Sequence, residues 1–220
     1  MDLDESLPRR QFVKAAVAAG GASALSACLG RAPRAGEPVP EGVDDISTLP
    51  QRQHAWNDRV RADADGNVHL PRHQTFLYLT VDADGPPGDD ARETVEAALR
   101  TLDRAYERSN EGLVYSLAYS PSYFDRFEDP LPDSVDLPEP RRLSGFENPT
   151  FDTQDALLHL ASDRGDVVLE AEEAMFGDRS KANGVAVEAK LDDALTVDDR
   201  RTGFIGAGLP AERQAQGGEP

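Results

Sequence analysis

The only thiol of the chain, Cys28, closes the run Leu25-Ser26-Ala27-Cys28. Small residues before a cysteine leave processing enzymes room at the backbone, and a thiol there is a nucleophile to which a diacylglycerol group can be attached. Upstream stand Arg9-Arg10-Gln11-Phe12-Val13-Lys14 and then Ala15 to Ala22, a short and mildly apolar run of Ala, Val and Gly. Paired arginines, an apolar stretch and a lipobox-like cysteine follow one another in the order of a twin-arginine export signal. A membrane-spanning helix needs about twenty apolar residues, more than this stretch holds. The expectation is export by the twin-arginine machinery through Arg9 and Arg10, with a lipid on Cys28 holding the protein at the outer face of the cell membrane. One acyl chain anchors only marginally, so the group expected is a two-chain lipid.

A second chemical candidate lies near the other end, in Arg200-Arg201-Thr202-Gly203-Phe204-Ile205-Gly206-Ala207-Gly208. Closely spaced glycines let a backbone approach a flat cofactor, which makes Arg201, Gly203, Phe204 and Gly206 candidate cofactor contacts. They do not form a dinucleotide fingerprint, since no helix with a downstream acid follows. The other reading is a connector to a further domain. A single cysteine excludes a disulfide framework and Cys-based metal sites, and no metal site is assigned.

Composition bounds the partners. The chain has 41 acidic against 23 basic residues, a net charge of −18, and Lys occurs only at Lys14, Lys181 and Lys190. The acid is dispersed, as on a surface built to hold hydrated cations, and the self-repulsion of such a surface is screened where molar salt shortens the Debye length to about 3 Å. This is a halophilic, haloarchaeal type of surface. Clustered Lys and Arg for phosphate contacts are missing, so nucleic acid is not an expected partner.

The elements that must position these groups can be read in outline. Residues 1–28 are the signal and 29–74 a Pro-, Gly- and Asp-rich tether, in which Trp56 is expected to clip the tether to the domain. A domain over 75–190 starts with Phe76 to Val81, a strand read as buried on both faces. Asp90 and Glu93 suggest a capping box for a helix with Val95, Leu99, Leu102 and Tyr106 on one face. Leu113, Tyr115, Leu117 and Tyr119 alternate as a second strand that stops at Ser120-Pro121, and a proline-rich loop runs from 128 to about 153. Ala156 to Ala161 is a third strand, and Asp163 is expected to cap a second helix carrying Val167, Val168, Ala171, Ala174 and Met175 up to Gly177. Gly184 to Ala189 is expected as the fourth strand, leaving 191–220 as an irregular Gly-rich tail. The order β-α-β-β-α-β predicts an α+β, ferredoxin-like fold: a four-stranded antiparallel sheet with both helices on one face.

Two blocks of this domain resemble a known family. Residues Gly112 to Phe127, with the strand ending in Ser120-Pro121 and then Phe124-Asp125-Arg126-Phe127, are similar to the first domain of dye-decolourising haem peroxidases. So is Asp155-Ala156-Leu157-Leu158-His159-Leu160-Ala161-Ser162-Asp163 with the helix after it. The resemblance implies one half of a dimeric α/β-barrel fold, haem as cofactor, and peroxide-dependent oxidation of an organic donor by an exported, lipid-anchored protein. It also implies two ferredoxin-like halves, a distal Gly-x-x-Asp-Gly loop with a catalytic Asp, a distal Arg and a proximal His. This chain shows one half. Leu143-Ser144-Gly145-Phe146 echoes the distal loop but lacks Asp-Gly and precedes the third strand, so no role is carried to it and no catalytic residue is assigned.

An axial ligand needs a neutral imidazole in an apolar pocket with its other nitrogen held by an acceptor, and none of His54, His69, His73 and His159 is assigned that part. The alternative function is a non-catalytic ferredoxin-like lipoprotein that binds or builds. The polar run from Ala211 to Pro220 has no apolar period to close a domain, which leads to the expectation of a truncated chain, with a second ferredoxin-like half or a homo-oligomer as partner. Either would cover the bare sheet face, for which Tyr78, Leu157 and Val187 are candidates.

Overall fold

The computed structural model describes residues 37–205, other than 130, 133, 136, 139 and 152 and the side chains of 53 and 54. Arg9, Arg10, Cys28 and Gly206 lie outside the described residues. Residues 38–205 form one unit, and the second unit, 1–37 with 206–220, is described only at Glu37.

Four strands make one antiparallel sheet: β1 (His73–Val81), β2 (Val114–Tyr119), β3 (Ala156–Ser162) and β6 (Leu195–Phe204), side by side as β2-β3-β1-β6. Helix α1 (Asp89–Ala105) links β1 to β2, a one-turn helix α2 (Pro121–Phe124) follows β2, and α3 (Gly165–Phe176) follows β3. The hairpin β4 (Lys181–Ala182) and β5 (Val185–Ala186) precedes β6. Two split β-α-β units interleaved in this strand order are the ferredoxin-like fold expected from the sequence.

Alternation decides the faces. Thr75, Leu77, Leu79 and Val81 of β1 are buried while Phe76, Tyr78 and Thr80 are half-buried, so β1 has one core face rather than two. The register places Leu77 beside Leu158, and Leu158 beside Leu117. These residues share one core with Val95, Ala98 and Leu102 of α1 and Val167, Val168, Ala171 and Met175 of α3. Both helices therefore cover the same face of the sheet. Each fully buried Leu or Val side chain contributes about 1.5–3 kcal/mol to holding the two layers together.

Helix starts differ from the expected ones. Helix α1 begins at Asp89 after Gly88, so Asp89 and Asp90 sit in the first turn, where carboxylates favour the dipole, and there is no side-chain cap at Gly88. Asp163 does not cap α3, whose N-cap is Arg164. Its carboxylate accepts from the Arg72 amide at 3.0 Å and from Arg61 Nη2 at 2.9 Å.

That use of Asp163 belongs to a larger correction. The segment from Pro38 to Arg72, expected as part of a tether that Trp56 clips to the domain, is docked on it at several further points. Val39 packs on the core, the Glu107 amide donates to the Pro40 carbonyl, and the Val43 amide donates to the Asp103 carbonyl. Gly42 is required there, since a Cβ would stand 2.1 Å from the Asp103 carbonyl oxygen. Buried Asn110 accepts from the Arg61 amide and donates to the His69 carbonyl. Trp56 lies under the Arg108 guanidinium at 4.2 Å from the ring centre, the expected clip.

The fourth sheet strand also falls later than expected. Residues 184–189 hold the second arm of a two-residue hairpin packed against both helices, with Asn183 and Gly184 at φ 43° and 87° forming its turn. Val185 and Val187 are apolar because they rest on the core, so Val187 is not on the bare face. Strand β6 instead occupies 195–204, and the tail expected to be irregular from 191 is strand up to Phe204. Its centre is Asp198-Asp199-Arg200-Arg201, the charge that keeps an edge strand from pairing further. A bulge opposite Tyr78 and Leu79 shifts its phase by one residue and erases the alternation that a sequence pattern relies on.

Candidate functional site on the open face of the sheet

The face of the sheet turned away from the helices brings together aromatic, histidine and charged side chains. Phe76 and Tyr78 of β1 are paired across to His159 and Leu157 of β3, and on the other side to Arg201 and Asp199 of β6. The His159 ring stacks on Phe76, centroids 4.5 Å apart and planes 9° from parallel, and its Nε2 is hydrogen-bonded to Gln74 Oε1. The Arg201 guanidinium lies over Tyr78 at 4.7 Å and its Nε donates to Asp199 Oδ2 at 3.1 Å. Thr80 Oγ1 donates to Asp198 Oδ2 at the bulge. The result is an aromatic and aliphatic centre with a charged margin of both signs.

Burial depresses the pKa of His159 below that of an ordinary imidazole. His73, whose ring packs on Gly165 at the start of α3, is depressed in the same way by burial, with Asp163 acting against it. Both rings are favoured neutral in the folded state, so the unfolded chain binds more protons below the ordinary histidine pKa of about 6.5. Stability from these two groups is present above that pH and is lost as pH falls through their lower folded-state values. His159→Phe keeps the stack and removes one titration; thermal melts at pH 7.5 and 5.5 in molar NaCl should therefore show a smaller loss of midpoint on acidification than in the parent.

The candidate cofactor residues turn out to be strand residues. Arg201, Gly203 and Phe204 stand in β6 opposite Phe76, Gln74 and His73, not in a ligand loop. Of them, Arg201 belongs to the open face, while Phe204 is 75% exposed at the strand end. Phe76, Gln74 and His159 were not singled out as a group from the sequence; alternation shows each on one side of its own strand, but their meeting depends on register.

A second cluster stands at the end of β2. Ser120 caps α2, and Tyr119, Tyr123, Phe124 and Phe127 make a chain of ring contacts with centroids 4.2 to 5.3 Å apart. Below them Arg126 forms two parallel bonds to Asp155, each 2.8 Å. Asp155, 3% exposed, also accepts from the Val81 amide at 2.7 Å, and Arg126 donates to the Ala83 carbonyl at 2.7 Å. The pair ties the loop after β1, the turn after β2 and the start of β3 together.

Two concavities of the described residues, one at Tyr123, Phe124 and Phe127 and one beside Trp56, offer haem no axial histidine, since none lines either of them.

Residues 71–219 match the model of a family of unknown function, DUF7405. The chain belongs to that family. The match begins just before β1 and takes in the whole sheet of this DUF7405 member. No curated protein sequence matches the chain. Among solved structures the chain is similar to the encapsulated DyP-type peroxidase from Mycobacterium smegmatis, with 22% identity over 62% of this chain and 40% of that one, TM-score 0.41. It is similar to a dye-decolorizing protein from V. cholerae, with 17% identity over 70% of this chain and 44% of that one, TM-score 0.41. DyPB from Rhodococcus jostii RHA1 gives 20% identity, 62% and 40%, and a TM-score of 0.35. The chain thus spans less than half the length of these structures.

Proposed function

We propose that the chain is an exported, lipid-anchored module of peroxidase-like descent that works through the open face of its sheet, where a second copy of the same chain is its partner. The observation that carries this is the Phe76, Tyr78, Leu157 and His159 centre: large, half-buried side chains on the sheet face opposite the one that the two long helices cover. A sheet needs such a face covered. The margin suits a two-fold partner, because Arg201 of one copy can meet Asp198 or Asp199 of the other. Repulsion between two chains of charge −18 is screened at molar salt. Light scattering on the full chain in molar NaCl should give twice the single-chain mass, and Leu157→Arg should return it to one. A single-chain mass for the parent at every concentration contradicts the proposal.

A second reading, a haem peroxidase that oxidises an organic donor, is favoured by the resemblance of residues 112–127 and 155–163 to dye-decolourising peroxidases. In that reading the haem ligand and the catalytic acid are supplied from beyond the described residues.

Export and anchoring rest on Arg9, Arg10 and Cys28. Cys28→Ser should move the protein from the membrane fraction to the medium, whereas Arg9→Lys with Arg10→Lys should retain it in the cell. Fractionation with immunodetection reads both, and membrane retention of the Cys28→Ser protein contradicts lipidation.

A further inference from the structure

The aromatic cluster after β2 opens into a concavity of about 530 Å³, within the roughly 300–1,000 Å³ range of small-molecule sites. Tyr123, Phe124 and Phe127 supply its rings, with Pro86 and Leu131 as further apolar surface. Its two carboxylates, Glu128 and Asp129, are exposed, and among the described residues neither makes an ion pair or a hydrogen bond. The nearest basic group on the same turn, Arg126, is neutralised by Asp155. Ring faces carry partial negative charge, and with unpaired carboxylates beside them they attract a cation that has an apolar body to bury. A rim of carboxylates repels the corresponding anion. We propose that this groove is a binding site for small lipophilic cations, of the quaternary ammonium or phosphonium class. It is separate from the open sheet face and does not depend on how that face is covered. Arg126 gives the groove a fixed shape, since it holds both the Ala83 carbonyl behind Pro86 and, through Asp155, the turn that carries the rings.

Tetraphenylphosphonium and tetraphenylborate are nearly the same size and opposite in charge, which makes them the probes. Calorimetric titration of the full chain, in the lowest NaCl concentration at which circular dichroism shows it folded, should show the phosphonium bound at least about tenfold more tightly than the borate. Phe127→Ala should weaken the phosphonium about tenfold. Glu128→Gln with Asp129→Asn should reduce the preference for the cation, leaving the attraction of the ring faces and an apolar contribution common to both ions. Phe127 is 37% exposed, so its variant is expected to fold. The proposal is overturned if the phosphonium does not bind, if both ions bind equally to the parent, or if binding is unchanged in both variants. The last result would mean attraction to the acidic surface as a whole.

Discussion

Arg126→Met should lower the stability of the domain by about 3–5 kcal/mol, because it leaves the carboxylate of Asp155 buried without its cation. The side chain of Asp155 is 4% exposed and that of Arg126 22%, so water cannot replace the lost guanidinium at Asp155. The Arg126 side chain also donates to the Ala83 and Gly85 carbonyls, and these bonds go with it. Replacing both members of the pair by apolar residues should recover part of the loss, since no charge is then stranded. Recovery is incomplete because the Val81 amide keeps no acceptor in place of Asp155. Urea unfolding midpoints in molar NaCl read all three proteins. A change under about 1 kcal/mol for Arg126→Met would show that this pair is not closed to water.

The second large effect separates neighbours in sequence. Leu158 is fully buried against the helices, and Leu158→Ala should cost about 2–5 kcal/mol through lost contacts and a cavity. Leu157 faces the other way, beside Tyr78, and is half-buried; Leu157→Ala should cost at most about 1.5 kcal/mol in the single chain. Equal losses, measured where light scattering gives a single-chain mass, would mean that the face described as open is covered within one chain.

The contrast between these leucines shows how far the sequence could be read. The spacing of Val95 and Leu102, and of Val167, Val168, Ala171 and Met175, located two helices with one apolar stripe each. Alternation from Tyr115 to Tyr119 located β2. These patterns are local consequences of burying one side of an element, and they carried the fold class with them. The fourth strand lies later than its pattern predicts for a physical reason: β6 is an edge with Asp198, Asp199, Arg200 and Arg201 at its middle and a bulge that breaks the period, while Val185 and Val187 look like a strand because a small hairpin rests on the core. The site was less legible still. That Phe76 stacks on His159, or that Asp155 meets Arg126, depends on strand register and on a turn packing over a distant loop. The distance of Asp163 and Asp90 from the apolar runs predicts a cap at each. In the structure the first serves the docked segment through Arg61 and Arg72, and the second lies inside the first turn of α1.

On the proposed reading a second copy of the chain, rather than haem, covers the open sheet face. Haemin titrated into the full chain in molar NaCl tests it most directly, with absorbance followed in the Soret region and peroxide-dependent dye oxidation measured on the same samples. The account predicts no stoichiometric shift of the Soret band, no dye oxidation above free haemin, and no difference between the parent and His159→Ala. A one-to-one Soret shift that disappears in His159→Ala would contradict it and place a haem on the face that Phe76, Tyr78 and Leu157 share.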